Sequence, residues 1–475
     1  MSLKVYNVLT RKKEEFIPQD EKKVKMYACG ITVSDNAHIG HAYQAVVFDV
    51  IRRYLRYKGY DVTYVRNYTD VDDKIIINAR EAGINPITYA EKYIKKTDVE
   101  LDMLNIERPT IQARATESID AMIEFVQGLI DKDYAYVADD GSVYFRVSKF
   151  PDYGKFSNRL IDEALVGVRK EIEPGKEDDR DFALWKSAGD DEIFWETPWG
   201  KGRPGWHIEC STMSRKFLGD TLDIHGGGRD LLFPHHENEI AQSEAYTGKK
   251  FSNYWIHNGL VKVNGQKMSK SLGNGILIED LLKEYNSDVI KVTLLQNQYR
   301  SDINIIDGIF EQYENKIYTM NKLFKYIDNI SEGIVVSTES DEYKKIKDEF
   351  ESAMDNDFNT AVAISNLFNY LSDINKLIKD KEVEKLVNIK SAIIDMYNVL
   401  GLFEQDYDFV IKEIKNKYLS KNNITEDFIN DLVNKRIEYK KNKDYASADS
   451  VRSLLLEKGI TIKDVGNDST WDVNF

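Results

Sequence analysis

Residues 24–65, VKMYACGITVSDNAHIGHAYQAVVFDVIRRYLRYKGYDVTYV, contain the pattern that decides the fold. Residues 24–28 are short and mostly apolar, as expected of a buried strand, and they lead into a polar stretch. From Gly40 the apolar side chains recur at helical spacing as far as Gly59, where a helix is expected to stop. Residues 62–65 then have the character of a second strand. This order predicts a βαβ unit, whose helix N-terminus faces ligands at the carboxyl edge of a parallel sheet.

The composition is ordinary for a soluble globular protein. Of the 475 residues, 42% are hydrophobic and 31% are charged, and the net charge of −15 argues against a protein that coats nucleic acid nonspecifically. The charged first residues and the lack of a long apolar run predict a cytoplasmic protein without membrane contact. With only Cys29 and Cys210 present, a disulfide framework is excluded and reduced thiols are expected.

An insertion interrupts the predicted sheet domain. Asp139-Asp140-Gly141 predicts a hairpin turn, and residues 171–180 are charged and predict a loop. Apolar and glycine-rich segments resume between Gly205 and Gly259, as expected of a second half of the same sheet. The fold class is therefore α/β, with a Rossmann-type parallel-sheet catalytic domain split by an insertion.

The remainder of the chain is predicted to be helical. Beyond about Ile303 the apolar residues are spaced for one buried helix face, and a helical bundle should follow. The polar segment 412–423 is interpreted as a linker to a small C-terminal unit. The expected domains are residues 1–129 (first catalytic half), 130–204 (insertion), 205–302 (second catalytic half), 303–410 (helical bundle) and 411–475 (C-terminal domain).

His38-Ile39-Gly40-His41 lies at the predicted start of the helix, directly after a strand. Backbone N–H groups and the helix dipole favour phosphate at such a position. Two imidazoles can donate hydrogen bonds to oxygens whose charge grows as an α-phosphate is attacked, and Gly40 allows a flat nucleotide to approach the backbone. Surface histidines at a helix start are the alternative for these residues taken alone.

Lys267-Met268-Ser269-Lys270-Ser271 follows a Gly-containing turn and precedes Gly273, which predicts a loop. Two ammonium groups in this loop could clamp a leaving pyrophosphate. Most loops of this composition are only solvated surface, so the combination with the His38–His41 motif carries the assignment.

Four residues could form a metal site. Pro234 favours a helix start, so His235 and Glu239 lie four residues apart on one helix face, whereas His236 is expected to point elsewhere. Cys29, expected in the loop before the histidine motif, and Cys210 could complete a tetrahedral Zn²⁺ site. Two buried structural thiols are the alternative.

The two phosphate-binding motifs together are the signature of class I aminoacyl-tRNA synthetases, which this sequence resembles. Within that class it resembles the cysteinyl-tRNA synthetases in motifs spread over nearly the whole chain. The motifs are Cys29-Gly30, residues 67–74 (NYTDVDDK), residues 182–186 (FALWK), residues 205–211 (GWHIECS), residues 223–228 (DIHGGG), residues 233–242 (FPHHENEIAQ) and residues 354–360 (MDNDFNT). The chain departs from the family pattern at Ile31, Ser34 and Tyr43.

The resemblance implies a set of site residues and cofactors. It implies one zinc ion per chain held by Cys29, Cys210, His235 and Glu239, with the cysteine pocket formed by Cys29, Thr69 and Trp206. ATP, accompanied by Mg²⁺, would be bound by His38, Gly40, His41, Gly228, Asp230, Lys267 and Lys270, of which His38, His41, Lys267 and Lys270 would be catalytic. Zinc bonds a soft thiolate strongly and a hydroxyl poorly, so such a site would separate cysteine from serine.

The C-terminal sequence resembles the anticodon-binding module of the same family. Its basic run on a probable helix is, on composition alone, most simply a solvated face. By resemblance, Lys440, Asp449 and Asp464 are candidates for contacts with anticodon bases. The implied partners are tRNA(Cys), L-cysteine and ATP, and a monomer is expected.

Two other functions are compatible with part of the pattern. A cysteine ligase for a small molecule, such as the enzyme of mycothiol synthesis, would share the zinc and adenylation features, but the long portion after Ile303 argues against it. An RNA-binding protein that lost catalysis is the second alternative, and the intact His38, His41, Lys267 and Lys270 disfavour it.

Overall fold

The βαβ unit predicted from residues 24–65 is the centre of the molecule. The computed structural model describes residues 2–158, 175–189, 192–268, 273–466 and 468–475. Within them, strand β3 and strand β4 pair in parallel, joined by helix α1. The elements of this first part are β1 (Lys4–Asn7), β2 (Lys12–Glu15), β3 (Lys23–Thr32), α1 (Ile39–Tyr57), β4 (Asp61–Thr69), α2 (Asp73–Glu81), α3 (Pro86–Met103), β5 (Ile111–Arg114) and α4 (Ile119–Asp131).

The described part of residues 132–204 forms a separate antiparallel sheet. Its strands are β6 (Ala135–Val137), β7 (Val143–Phe145), β8 (Phe182–Ser187), β9 (Trp195–Thr197) and β10 (Gly200–Pro204), arranged in the order β6-β7-β8-β10-β9. Strands β6 and β7 form the hairpin predicted at Asp139-Asp140-Gly141, where Gly141 has a φ of 83°. Of the loop predicted over residues 171–180, residues 171–174 lie outside the described chain.

The chain then returns to the parallel sheet. The elements are α5 (Trp206–Leu218), β11 (Leu222–Gly228), α6 (His235–Thr247), β12 (Ser252–Asn258), β13 (Val261–Val263), β14 (Gln266–Lys267), α7 (Ile278–Glu284), α8 (Ser287–Leu295) and β15 (Ile303–Ile305). The described strands of this sheet follow the order β12-β11-β3-β4-β5 and are all parallel. The α/β fold with a split parallel sheet is therefore as predicted.

Helices dominate the rest of the chain. They are α9 (Ile309–Ile330), α10 (Asp341–Met354), α11 (Thr360–Asp380), α12 (Val383–Tyr397), α13 (Tyr407–Lys421), α14 (Glu426–Lys441) and α15 (Tyr445–Glu457), followed by the hairpin β16 (Ile460–Val465) and β17 (Asp468–Val473). Residues 303–305 are a strand paired with β13, so the helical part begins a few residues later than the sequence indicated. None of the helices in the described ranges combines the length and apolar character needed to cross a bilayer.

The interpretation of residues 412–423 as a linker is wrong. Most of this segment belongs to α13, which packs against α9. Val410, Ile414 and Leu419 are buried. They are the only buried residues among the 15 of this helix, so its apolar pattern is weak in the sequence.

Helix α1 is buried on most of its surface because it lies between the sheet and the helical half. Its apolar side chains, such as Phe48, are fully buried. At its C-terminal end Tyr54 donates a hydrogen bond to Asp355 Oδ1 at 2.7 Å, and Lys58 pairs with the same carboxylate at 3.2 Å. A helix with most of its residues buried is stable only when other elements cover it in this way.

Candidate active site

The structure brings Cys29, Cys210, His235 and Glu239 together. One ligand atom from each lies within 4.8 Å of the others, and all four residues are buried. Cys29 Sγ lies 3.3 Å from Glu239 Oε1, and His235 Nε2 lies 3.0 Å from the same oxygen. Two thiols, an imidazole and a carboxylate at these separations are a donor set that fits tetrahedral zinc.

Cys29 lies within β3, at an irregularity of the strand. The sequence predicted a loop at this position, and that prediction is wrong. The register between β3 and β4 shifts between Ala28 and Ile31. Gly30 donates its N–H to Asn67 Oδ1 at 2.8 Å, and a Cβ at position 30 would lie 1.6 Å from Asn67 O. Only glycine fits this approach, so the strand bends and turns the Cys29 side chain toward α6.

The other three residues come from two packed helices. Cys210 lies on α5, and His235 and Glu239 lie one turn apart at the start of α6. The i, i+4 spacing places the two α6 side chains on one face, as predicted. Because α5 and α6 pack together, their facing sides close the cluster around Cys29.

The prediction that His236 points away from the cluster is wrong. His236 Nε2 lies 3.3 Å from Cys29 Sγ, and His225 Nε2 lies 2.9 Å from Glu239 Oε2. Cys29, His225, His236 and Glu239 form a second group whose ligand atoms all lie within 4.8 Å. His225 was missed as a neighbour because it comes from β11, and sequence spacing does not report contacts between strands.

Hydrogen bonds between imidazoles orient the ring that faces the cluster. His207 Nδ1 and His235 Nδ1 are 2.9 Å apart, so one of them donates to the other. The pKa of His207 is lowered by burial and by His235, which keeps His207 neutral and able to accept. His235 then donates from Nδ1 and presents Nε2 to the cluster, an outer contact that is common around metal-binding histidines.

The ionisable groups of the cluster favour the binding of a cation. Burial would raise the pKa of Glu239, but the neighbouring His225 and His235 outweigh it and lower that pKa. Burial likewise opposes ionisation of Cys210, yet hydrogen bonding with Cys29 and His235 lowers its pKa to about 6. The pKa of His235 is raised to about 10, against the effect of burial, by Glu239 and Cys210. A divalent ion would replace the proton between His235 and Glu239.

The two predicted pocket residues lie on different sides of this cluster. Thr69 is buried and donates a hydrogen bond to Glu209 Oε2 at 2.7 Å. Trp206 is 39% exposed, and its ring stacks on His235 with centroids 4.3 Å apart. Glu209 was missed in the sequence, although it lies next to Cys210. Burial raises the pKa of Glu209 and so favours its neutral, protonated form. The Thr69–Glu209 hydrogen bond therefore adds little negative charge to the pocket.

The His38–His41 motif forms the start of α1, as predicted. His38 is the N-cap, and its Nδ1 accepts from Gly40 N at 3.1 Å, while His41 Nδ1 accepts from His38 N at 3.2 Å. The rings are stacked with centroids 3.7 Å apart. The pKa of His41 is lowered by burial, His38 and Arg66, so His41 is neutral. A neutral ring that accepts at Nδ1 carries its proton on Nε2 and can donate it to a ligand.

The second motif lies against the first. Lys267 is exposed at the end of β14, and Met268 Cε would lie 3.5 Å from a Cβ at Gly40. Ile39 N donates to Ile276 O at 2.8 Å, so the segment that follows the motif pairs with the start of α1. Lys270 lies outside the described residues. The two motifs, far apart in sequence, therefore meet in space.

Gly228 and Asp230 lie at the carboxyl end of β11, on the same edge of the sheet as the start of α1. Gly228 ends the strand, and Asp230 is exposed in the short helical turn that follows. Ligands of parallel α/β sheets bind at this edge, so both positions are accessible to a nucleotide.

The candidate anticodon residues lie apart from this site, in the C-terminal unit. Lys440 and Asp464 form an ion pair at 3.0 Å, and Arg436 bonds to both oxygens of Asp464. These contacts lower the pKa of Asp464, with the Arg436 hydrogen bond as the main cause. Asp449 is exposed on α15. Arg436, which holds Asp464 in place, was missed because the sequence does not show which acidic residue an arginine in a basic run contacts.

Comparison with known proteins identifies the family of the chain. The family described as "tRNA synthetases class I (C) catalytic domain" matches residues 15–315, and the DALR domain matches residues 349–404. The cysteine–tRNA ligase of Thermodesulfovibrio yellowstonii is 48% identical over 99% of both chains, and that of Bacillus cytotoxicus is 44% identical over 99% of both. The cysteine–tRNA ligase of Desulfotalea psychrophila is 42% identical over 100% of this chain and 99% of its own.

A solved structure supports the fold. The methionyl-tRNA synthetase of Mycobacterium tuberculosis, in complex with methionyl-adenylate, superposes with a TM-score of 0.61 over 86% of this chain and 95% of its own, at 14% identity. With full-length relatives above 40% identity, this chain belongs to the cysteine–tRNA ligase family of class I aminoacyl-tRNA synthetases.

Proposed function

We propose that this chain ligates L-cysteine to tRNA(Cys) in an ATP-dependent reaction that passes through cysteinyl-adenylate. The observation that carries the proposal is the buried cluster of Cys29, Cys210, His235 and Glu239 beside the start of α1. Gln44 of α1 donates a hydrogen bond to Cys29 O at 2.6 Å, which links the two regions directly. The full-length relatives, which are cysteine–tRNA ligases, support the same assignment.

In this proposal Cys29, Cys210, His235 and Glu239 hold one zinc ion. When bound, zinc favours the thiolate of cysteine over the hydroxyl of serine, which gives amino-acid selectivity without an editing step. Thr69, held by Glu209, and Trp206, stacked on His235, line the amino-acid pocket. Because Trp206 already contacts the cluster and Thr69 is held by the neighbour of Cys210, a bound cysteine would be oriented with little further rearrangement.

The first reaction forms a bond between a carboxylate oxygen of cysteine and the α-phosphorus of ATP, and the bond to pyrophosphate breaks. His38 and His41 donate from Nε2 to oxygens of the α-phosphate as their charge grows. Gly40 lets the nucleotide approach the backbone, and Gly228 and Asp230 contact the adenosine. Lys267 and Lys270 hold the pyrophosphate with its Mg²⁺. The rate enhancement comes from positioning and charge stabilisation.

The second reaction transfers cysteine to tRNA. A hydroxyl of the 3′-terminal ribose attacks the activated carbonyl carbon, and AMP leaves. The domain division expected from the sequence is kept in the proposal with two changes: β15 belongs to the sheet part, and α13 belongs to the helical bundle. The C-terminal unit, expected at residues 411–475, then begins after α13 and contacts the anticodon. Lys440, Asp449 and Asp464 are the candidate contacts. Because Lys440 pairs with Asp464, an anticodon base that binds either side chain would replace this ion pair.

Isotope exchange between pyrophosphate and ATP tests the proposal. We expect exchange that depends on cysteine, is at least about a hundredfold weaker with serine, and is lost when a chelator removes zinc. Charging of tRNA(Cys) should follow in the same preparation. Exchange without charging would instead indicate a cysteine ligase for a small molecule, and absence of exchange would contradict the proposal.

A further inference from the structure

Lys96 on α3 lies between the two phosphate-binding motifs. Its Nζ lies 2.6 Å from Asn36 Oδ1, in the loop that leads to His38, and 2.9 Å from Glu279 Oε1, in the first turn of α7. Helix α7 begins directly after the segment that follows the Lys267 motif. One ammonium group thus bonds to an element on each side of the proposed ATP site.

The loop before His38 has further contacts with α2 and α3. Ser34 O accepts hydrogen bonds from Asn78 Nδ2 at 2.8 Å and from Tyr89 Oη at 3.1 Å. Helices α2 and α3 therefore hold the loop at its beginning, and Lys96 holds it two residues further along. The position of the loop follows the position of these helices.

Backbone hydrogen bonds join this loop to the start of α7. Ile39 N donates to Ile276 O at 2.8 Å, and Ile278 N donates to Ala37 O at 3.1 Å. These two bonds fix the distance between the loop and the start of α7, and the buried Ile278 and Leu281 hold the helix in the core. The Lys96–Glu279 contact adds a side-chain link from α3 to the first turn of α7.

We propose that Lys96 is a positioning residue for adenylate formation, which fixes the start of α7 relative to the loop that carries His38. The inference rests on the proposed function, since it concerns the same ATP site. Lys96 acts through Asn36 and Glu279 and does not touch the reacting atoms. Its loss lets the imidazoles and the Lys267 motif shift relative to each other, which slows a reaction that depends on alignment.

The expected signature separates positioning from structural support. The Lys96–Glu279 ion pair is partly exposed and contributes little to stability, but Lys96 Nζ also lies 3.9 Å from the buried Glu100 carboxyl, whose pKa is raised by burial to about 7. At about pH 6, where Glu100 is protonated, Lys96→Met should therefore leave the melting temperature, the zinc content and the cysteine Kd close to those of the wild type. The value of kcat/KM for ATP in the exchange assay should fall about tenfold, because small misalignments are costly in rate. Lys96→Arg retains a cation that reaches both acceptors and should recover most of the loss.

Lys95→Met is the matched control. Lys95 is the neighbouring residue on α3; its side chain is exposed and pairs with Glu91 at 3.7 Å. The Lys95→Met variant should catalyse pyrophosphate exchange at the wild-type rate. The double variant Lys96→Met/Glu279→Gln should be no slower than Lys96→Met alone, because the bond between the two residues is already lost.

The outcomes distinguish the two proposals. If the wild type and Lys95→Met show cysteine-dependent exchange and Lys96→Met matches them in kcat/KM for ATP, the positioning role is overturned and the function stands. If Lys96→Met loses zinc, cysteine binding and thermal stability together, Lys96 is a structural residue and the inference also fails. If the wild type itself shows no exchange, the proposed function fails first.

Discussion

Cys210 and Cys29 differ in the pKa of their thiol groups, although both are buried in the same cluster. The pKa of Cys29 is raised by burial and by Cys210, whereas that of Cys210 is lowered to about 6 by contacts that overcome burial. Cys210 is therefore the thiol that ionises more readily, and a bound zinc ion would favour the thiolate form of both cysteines. A serine at position 210 would offer only a weakly binding hydroxyl.

We predict that Cys210→Ser binds zinc at least about tenfold more weakly and loses its preference for cysteine over serine. Elemental analysis after dialysis and the exchange assay with both amino acids measure the two effects. Ser214→Ala is the control, since Ser214 is buried one turn further along α5 and donates to Ser211 O at 3.1 Å. Full zinc content in Cys210→Ser would remove Cys210 from the ligand set.

The sequence indicated part of this cluster and missed part of it. The i, i+4 spacing of His235 and Glu239 is a local property of one helix, so periodicity was sufficient to pair them. The approach of Cys29 to Cys210 depends on how β3, α5 and α6 pack, and only the family resemblance indicated it. His236 was misplaced because the prediction considered one face of α6, whereas Cys29 sits where two adjacent faces both reach it.

At the scale of secondary-structure elements, α3 contains a buried carboxyl group with an unusual titration. Burial raises the pKa of Glu100 to about 7; Glu279 and Asp280 of α7 also raise it, and Lys96 of α3 lowers it. Neither oxygen of Glu100 has a hydrogen-bond partner among the described residues. The folded protein therefore binds a proton at Glu100 more tightly than the unfolded chain does.

This gives a pH dependence of stability with a definite sign. Between the ordinary carboxyl pKa and about 7 the folded state holds more protons at this site, so the free energy of unfolding falls as pH rises through that window. Glu100→Gln removes the ionisation. We predict that it stabilises the protein by about 1–3 kcal/mol at pH 8 and by much less at pH 5, as measured by thermal unfolding. An equal effect at both pH values would contradict the assignment.

A helix with many buried apolar residues could be predicted from the sequence, and a helix with few of them could not. Helix α1 was predicted because its apolar residues recur over many turns between a strand and Gly59. Helix α13 was interpreted as a linker because its buried residues, Val410, Ile414 and Leu419, are few and separated by Lys, Glu and Asn. Its helical state depends on the tertiary contact with α9, which composition does not reveal.

At the scale of the whole molecule, Asp357 connects regions that are distant in the sequence. Its carboxylate accepts from Tyr6 N at 2.8 Å, from Tyr299 Oη at 2.8 Å and from Arg300 Nε at 2.9 Å. The residue belongs to the turn between α10 and α11 and has a φ of 68°. The N-terminal strand, the segment before β15 and the helical half thus meet at one buried side chain.

We predict that Asp357→Ala lowers the free energy of unfolding by about 2–4 kcal/mol, because the donors of Tyr6, Tyr299 and Arg300, together with Gln298 Nε2 at 3.1 Å, lose their acceptor and alanine disfavours this φ. Asp357→Asn should cost less, since asparagine keeps an acceptor oxygen and tolerates a left-handed backbone. Denaturant unfolding measures both. Asp348→Ala, at an exposed position on α10, should stay within about 0.5 kcal/mol of the wild type. Equal stability of the three variants would exclude this role for Asp357.

Helix α1 has one end at the two stacked imidazoles and the other at Asp355, where Tyr54 and Lys58 anchor it to the helical half. Its 19 residues make a stiff rod about 28 Å long. Tilting such a rod by about 5° at the anchored end displaces the opposite tip by about 2 Å, more than a hydrogen bond to phosphate tolerates. A macromolecule that binds the helical half and shifts Tyr54 would therefore change the affinity of the proposed ATP site without contacting that site.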